Sequence, residues 1–101
     1  QRWLVLGNMA ELGSNAAQLH REAGLAARAL GIDRVLAVGE LAAEAAQAFG
    51  SGGEAYADVD ALVAMLQKHL NNNITLLVKG SRSARMERVV AALTGTAFGD
   101  H

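Results

Sequence analysis

The chain has 101 residues, of which 51% are hydrophobic, 19% charged and only 4% aromatic. Surface scaling gives about 5,400 Å² exposed when folded against about 15,000 Å² when open, so the length suffices for one domain with a core of its own. The absence of Cys excludes disulfide scaffolds, Cys-ligated zinc and thiol catalysis, and nine basic against ten acidic residues give no general electrostatic case for nucleic acid or an anionic membrane. No apolar run reaches the roughly 18 residues of a membrane span and the N-terminus lacks a signal-peptide layout, so a soluble protein is expected.

In chain order, residues 2–6 (RWLVL) form a short apolar run stopped by Gly7, the pattern of a buried parallel strand. A helix follows, with Asn15 and Gln18 as its capping pair, Leu19, Ala23, Ala26, Ala27 and Leu30 on its inner face, and Gly31 closing it at the position after the C-cap. Gly24 lies inside that helix at a cost of about 1 kcal/mol relative to Ala. It marks either close backbone packing or a tolerated exposed glycine. Residues 34–38 (RVLAV) make the second strand, residues 41–49 a short Ala-rich helix ending at Gly50, and residues 54–57 a short strand near a sheet edge. Asp58 caps a helix running to about Leu70 with Leu62, Leu66 and Leu70 on one stripe. Asn71, Asn72 and Asn73 turn out of it into residues 74–78 (ITLLV), the most strand-like run in the chain and one expected to be buried. A last helix turns Met86, Val89, Val90 and Leu93 inward and stops at Gly95, leaving residues 95–101 as a flexible tail.

Four strands alternating with four helices predict a Rossmann-like three-layer α/β/α domain over residues 1–94, with a mainly parallel sheet and right-handed crossovers. Ligands of such folds collect at the carboxyl ends of the strands, which directs attention to the loops after Leu6 and Val78. The first loop, Gly7 to Gly13, lacks the glycine spacing of a dinucleotide fingerprint and the Lys-Ser/Thr of a Walker A loop. It is either a structural strand-to-helix turn or a ligand-facing loop with Asn8 and Glu11 as its polar members. The second concentrates Lys79, Arg82, Arg85 and Arg88 within ten positions at a strand end and helix start. Cations in the first turns of a helix oppose its macrodipole, so local stability does not explain them. An anion would: backbone N–H groups, the Ser81 hydroxyl and a guanidinium fork make a cradle for a carboxylate or phosphate. The other reading is a solvated basic face partly balanced by Glu87. His20, His69 and His101 have no metal-ligand spacing, and His20 is expected to hydrogen-bond helix to loop rather than act as a base. Trp3, Phe49 and Tyr56 are expected in the core, and with Phe98 they are too scattered for a stacking platform.

Read together, LGNMAELG at residues 6–13, LHREAG around His20, GIDRVLAVGE at residues 31–40 and above all VKGSRSARMERVV at residues 78–90 closely resemble the C-terminal domain of the Mur ligase family. Within it they match the branch that joins D-alanyl-D-alanine to UDP-N-acetylmuramoyl-tripeptide in bacterial peptidoglycan synthesis. The resemblance runs over nearly the whole chain. It implies a three-domain cytoplasmic enzyme, monomeric, whose middle domain binds ATP and Mg2+ and whose C-terminal domain closes over it to help hold the incoming dipeptide and the nucleotide. The reaction it implies passes through an acyl phosphate attacked by the dipeptide amine. By position, Lys79, Gly80, Ser81 and Arg82 match the loop facing the closed site, Arg85 is a further candidate, and Asn8, Met9 and Glu11 match the other loop at the same sheet edge. Asn8 stands where the family commonly has Asp, which keeps the shape and loses the charge. No Walker A loop occurs, and the Asn-Pro segment of the domain's opening βα unit is absent. The expectation is a C-terminal domain truncated on its N-terminal side, inactive alone and without a tightly bound cofactor, with no nucleic-acid or membrane partner. The competing expectation is a free-standing anion- or nucleotide-binding module without catalysis.

Overall fold

The computed structural model describes residues 1–9, 13–69 and 73–80. Strand β1 (Arg2–Gly7) leads through a 3-10 turn at Gly13–Asn15 into helix α1 (Ala16–Ala29), followed by β2 (Arg34–Val38), α2 (Glu40–Phe49), β3 (Gly53–Tyr56), α3 (Val59–His69) and β4 (Thr75–Lys79). All three strand pairings are parallel and the sheet order is β3-β2-β1-β4. This is the Rossmann-like layered arrangement the alternating pattern predicts. The fourth helix, the stripe position Leu70 and the tail at residues 95–101 lie outside the described residues.

Alternation along the strands sorts the core into two layers. Leu4 and Leu6 of β1 with Val35 and Ala37 of β2 face Ala27 of α1 and Ala42, Ala45, Ala46 and Phe49 of α2. Trp3, Val5 and Leu36 point the other way and meet Leu62 and Leu66 of α3. Two helices thus cover one face and α3 the other, because β1 to β3 advance in one direction across the sheet while β3 to β4 returns past β1, and right-handed crossovers put the return helix on the opposite side.

Local signals act where the chain has no alternative. Gly31, at φ +81°, completes a C-terminal cap in which Ile32 N–H donates to the Ala27 carbonyl at 3.0 Å and Gly31 N–H to that of Arg28 at 3.2 Å. Asp58 Oδ1 accepts the Ala61 N–H at 2.8 Å, capping α3 as expected.

Three expectations are corrected. Asn15 makes no side-chain cap, since the 3-10 turn precedes α1 there. Of the inner face expected for α1 only Ala27 is buried, beside His20 and Gly24: Leu19, Ala26 and Leu30 are exposed and Ala23 is half-buried. The reason is the tight approach of α2, which only small side chains permit. Gly24 is buried, and a Cβ there would lie 2.9 Å from the Ala45 carbonyl carbon, so the close-packing reading of this glycine is the right one. Finally, among the described residues β4 lies at the sheet edge with Leu77 exposed and Leu76 and Val78 half-buried, where a buried strand is expected.

Candidate functional site

Among the described residues the strand order reverses direction between β1 and β4, and in layered folds of this kind ligands collect at the carboxyl ends of the strands beside such a junction. Leu6 pairs with Lys79 across that junction, so Gly7 and Gly80 leave the sheet side by side. The starts of the two loops singled out by residue chemistry are therefore neighbours, although 72 positions separate Gly7 from Lys79 in sequence. Lys79 is exposed at the end of β4, and no ion pair joins it to a carboxylate among the described residues. Ser81, Arg82, Arg85 and Arg88, which complete the expected anion cradle, lie outside the described residues, as does Glu11.

Asn8 sits in this region and its Oδ1 is engaged within the fold. It accepts the Ala42 N–H at 2.8 Å. Ala42 is the third residue of α2, a helix whose own cap position is Gly39 and which has no side chain there to bond its first-turn donors. Gly39 adopts φ +108°, and a Cβ on it would fall 2.6 Å from Asn8 Cγ. The glycine makes room for a cap supplied by another element. The sequence signal for this was the missing Ser, Thr, Asp or Asn before Glu40; the partner could not be read, because 34 residues separate it from Ala42.

His20 is fully buried and bridges helix to loop, as its position suggested. The Met9 N–H donates to Nε2 at 3.0 Å, and Nδ1 lies 2.6 Å from the Ala16 carbonyl oxygen. A backbone N–H must donate and a carbonyl must accept, so the ring is neutral with its proton on Nδ1. Residues 8 and 9, just beyond the carboxyl end of β1, are consequently tied to α2 and α1 in turn.

A second polar cluster, which the residue pattern did not reveal, involves the amino-terminal part of the sheet. The Arg34 guanidinium stacks 4.8 Å from the Trp3 ring centroid and pairs with Glu54, whose other carboxylate oxygen accepts the Tyr56 hydroxyl at 2.6 Å. That hydroxyl, with Arg34, holds the Glu54 carboxyl below the usual range, while burial and then the neighbouring carboxylate push Tyr56 up to about 12. A cavity of about 370 Å³ beside it is lined by Gln1, Trp3, Arg34, His69, Asn73 and Ile74. Because Arg34 is already matched by Glu54, this cluster fastens β2 to β3 and leaves little cationic character for a ligand. Among the described residues no group of three His, Asp or Glu is placed to hold a metal ion, and no described helix is long and apolar enough to cross a membrane.

Comparison with known proteins agrees with this arrangement. The chain is 50% identical over 94 residues to the UDP-N-acetylmuramoyl-tripeptide–D-alanyl-D-alanine ligase of Escherichia coli (strain K12), covering 91% of this chain and 21% of that protein. It is 36% identical over 98 residues to the ligase of the same name from Haemophilus influenzae, again covering 91% of this chain and 21% of the relative. Among solved structures, MurF from Acinetobacter baumannii superposes with a TM-score of 0.74 at 28% identity, covering 94% of this chain and 22% of that one. MurF ligase from Thermotoga maritima in complex with ADP gives 0.73 at 26% identity, with 94% and 22% coverage. The chain thus spans about a fifth of the length of the curated relatives it matches. The family model for the Mur ligase glutamate ligase domain matches residues 1–82, and the chain belongs to that C-terminal domain family of the Mur ligases.

Proposed function

We propose that this chain is the substrate-closing C-terminal domain of a cytoplasmic, monomeric ATP-dependent ligase. The enzyme adds D-alanyl-D-alanine to UDP-N-acetylmuramoyl-tripeptide during peptidoglycan synthesis, through an acyl phosphate. One observation carries the reading: the parallel order β3-β2-β1-β4 brings the end of β4, where the KGSR segment begins, beside the loop after β1. The 50% identity to the Escherichia coli ligase supports the choice of branch.

In this reading Lys79, Gly80, Ser81 and Arg82, with Arg85 as a further candidate, receive an anion, and the free carboxylate of the incoming dipeptide is that anion. Asn8 and Glu11 are the polar members of the loop after β1 at the same sheet edge, and Asn8 acts chiefly by shaping it. The sequence has no Walker A loop, and in this reading ATP and Mg2+ are bound mainly by the rest of the enzyme. The 101-residue chain alone is expected to ligate nothing.

The test is steady-state kinetics of the full-length ligase carrying this domain. Arg82→Ala should lower kcat/KM for D-alanyl-D-alanine by about ten- to a hundredfold, the cost of about 1–3 kcal/mol for leaving a charged partner unsatisfied in a closed site. Lys79→Ala should act in the same direction with a smaller effect. A ligase that does not accept the dipeptide, or an Arg82→Ala variant indistinguishable from the parent, overturns the reading.

A further inference from the structure

The His20 ring is the one buried polar side chain among the described residues, 0% exposed, and both of its nitrogens are in use. Burying an imidazole carries a desolvation cost that a leucine of similar volume would avoid, so its presence calls for something the apolar residue could not provide. What it provides is an acceptor for a backbone donor two positions beyond β1. The Met9 N–H has left the sheet, and Nε2 is its partner. The adjacent residue is pinned independently by Asn8 Oδ1 on the Ala42 N–H. Consecutive residues after β1 are therefore fixed to two different helices, a double attachment that sets the path of the backbone as it leaves the sheet.

We infer that His20 is a positioning residue of the ligase: it touches no substrate, and it holds the loop after β1 in the shape the closed site requires by accepting the Met9 N–H in its Nδ1-protonated form. The inference rests on the proposed ligase function for its consequence and on the hydrogen bonds alone for its geometry. A ring engaged at both nitrogens and closed to solvent has no free atom for acid or base catalysis. Its contribution is to keep loop atoms from wandering, and displacements of about 1 Å in a site of this kind can cost a hundredfold in rate.

Two measurements test it separately. In the 101-residue chain, ring ¹⁵N shifts should show Nδ1 protonated and Nε2 bare, with Met9 N–H slow to exchange. The opposite tautomer, or a Met9 amide that exchanges as fast as an unbonded one, overturns the proposal whatever the enzyme does. In the full-length ligase, His20→Gln places an oxygen where Nε2 was and should stay close to the parent in kcat/KM. His20→Asn, too short to reach Met9, and His20→Leu, which fills the space without an acceptor, should each lose about ten- to a hundredfold. Assays are run well below the unfolding midpoint of every variant. Losses that follow the midpoints rather than the presence of the acceptor assign His20 a packing role and overturn the proposal. Should the ligase itself not accept the dipeptide, the functional reading fails while amide exchange at residues 7–9, slow in His20→Gln and fast in His20→Leu, still judges the attachment.

Discussion

Asn8 shows how much a single residue's meaning depends on what it meets. The residue pattern marks it as a polar group in a loop that is either structural or ligand-facing, and the family pattern marks it as an uncharged substitute for Asp. The fold adds that its Oδ1 caps α2 through the Ala42 N–H. Either side chain can accept that bond, and a carboxylate would also meet the favourable end of the helix dipole. Asn8→Ala should therefore destabilise the domain by about 1 kcal/mol, within the roughly 0.5–2 kcal/mol range of cap removal. Asn8→Asp should leave it at least as stable as the parent near neutral pH. Urea unfolding of the three proteins decides between them, and an Asn8→Ala variant as stable as the parent would remove the capping role. The residue type was legible and its partner was not, because a hydrogen bond spanning 34 positions leaves no periodic trace.

At the level of elements, the helix between β1 and β2 gives the clearest contrast between local signal and packing. Its C-terminal stop at Gly31 was readable because only residues tolerating φ near +81° close a helix in that way. Its buried face was not, because the leucines suggested a broad apolar stripe while the neighbour, α2, is a run of alanines that comes too close for them. At Gly24 the helix lies directly against the Ala45 backbone of α2. Replacing it with Ala improves helix propensity by about 1 kcal/mol, yet the added methyl meets the Ala45 backbone, which cannot swing aside as a flexible side chain can. We expect Gly24→Ala to lower stability by a net of about 1–3 kcal/mol in thermal or denaturant unfolding. A variant more stable than the parent would mean that the α1–α2 spacing relaxes freely.

On the scale of the whole molecule, the decisive fact is the return of the chain past β1 to lay β4 beside it. That return sets the carboxyl ends of β1 and β4 side by side at one end of the sheet, while at the other the Trp3, Arg34 and Glu54 cluster joins strands. Adding D-alanyl-D-alanine to the ¹⁵N-labelled chain should accordingly shift the amides of Gly7, Asn8, Lys79 and Gly80 before those of Trp3, Arg34 or His69. Shifts confined to the second group would move the binding site to the opposite end of the sheet. By itself the sequence determined the alternation of strands and helices, the caps at Gly31 and Asp58, and the clustering of cations after Val78, all consequences of periodicity and local backbone chemistry within a few positions. Tertiary structure alone decided that β4 lies beside β1, that α1 presents His20 and Gly24 instead of its leucines, and that Asn8 and Met9 are bonded to different helices. Each of these depends on which surfaces meet, and a one-dimensional pattern carries no distance between residues that are far apart in the chain.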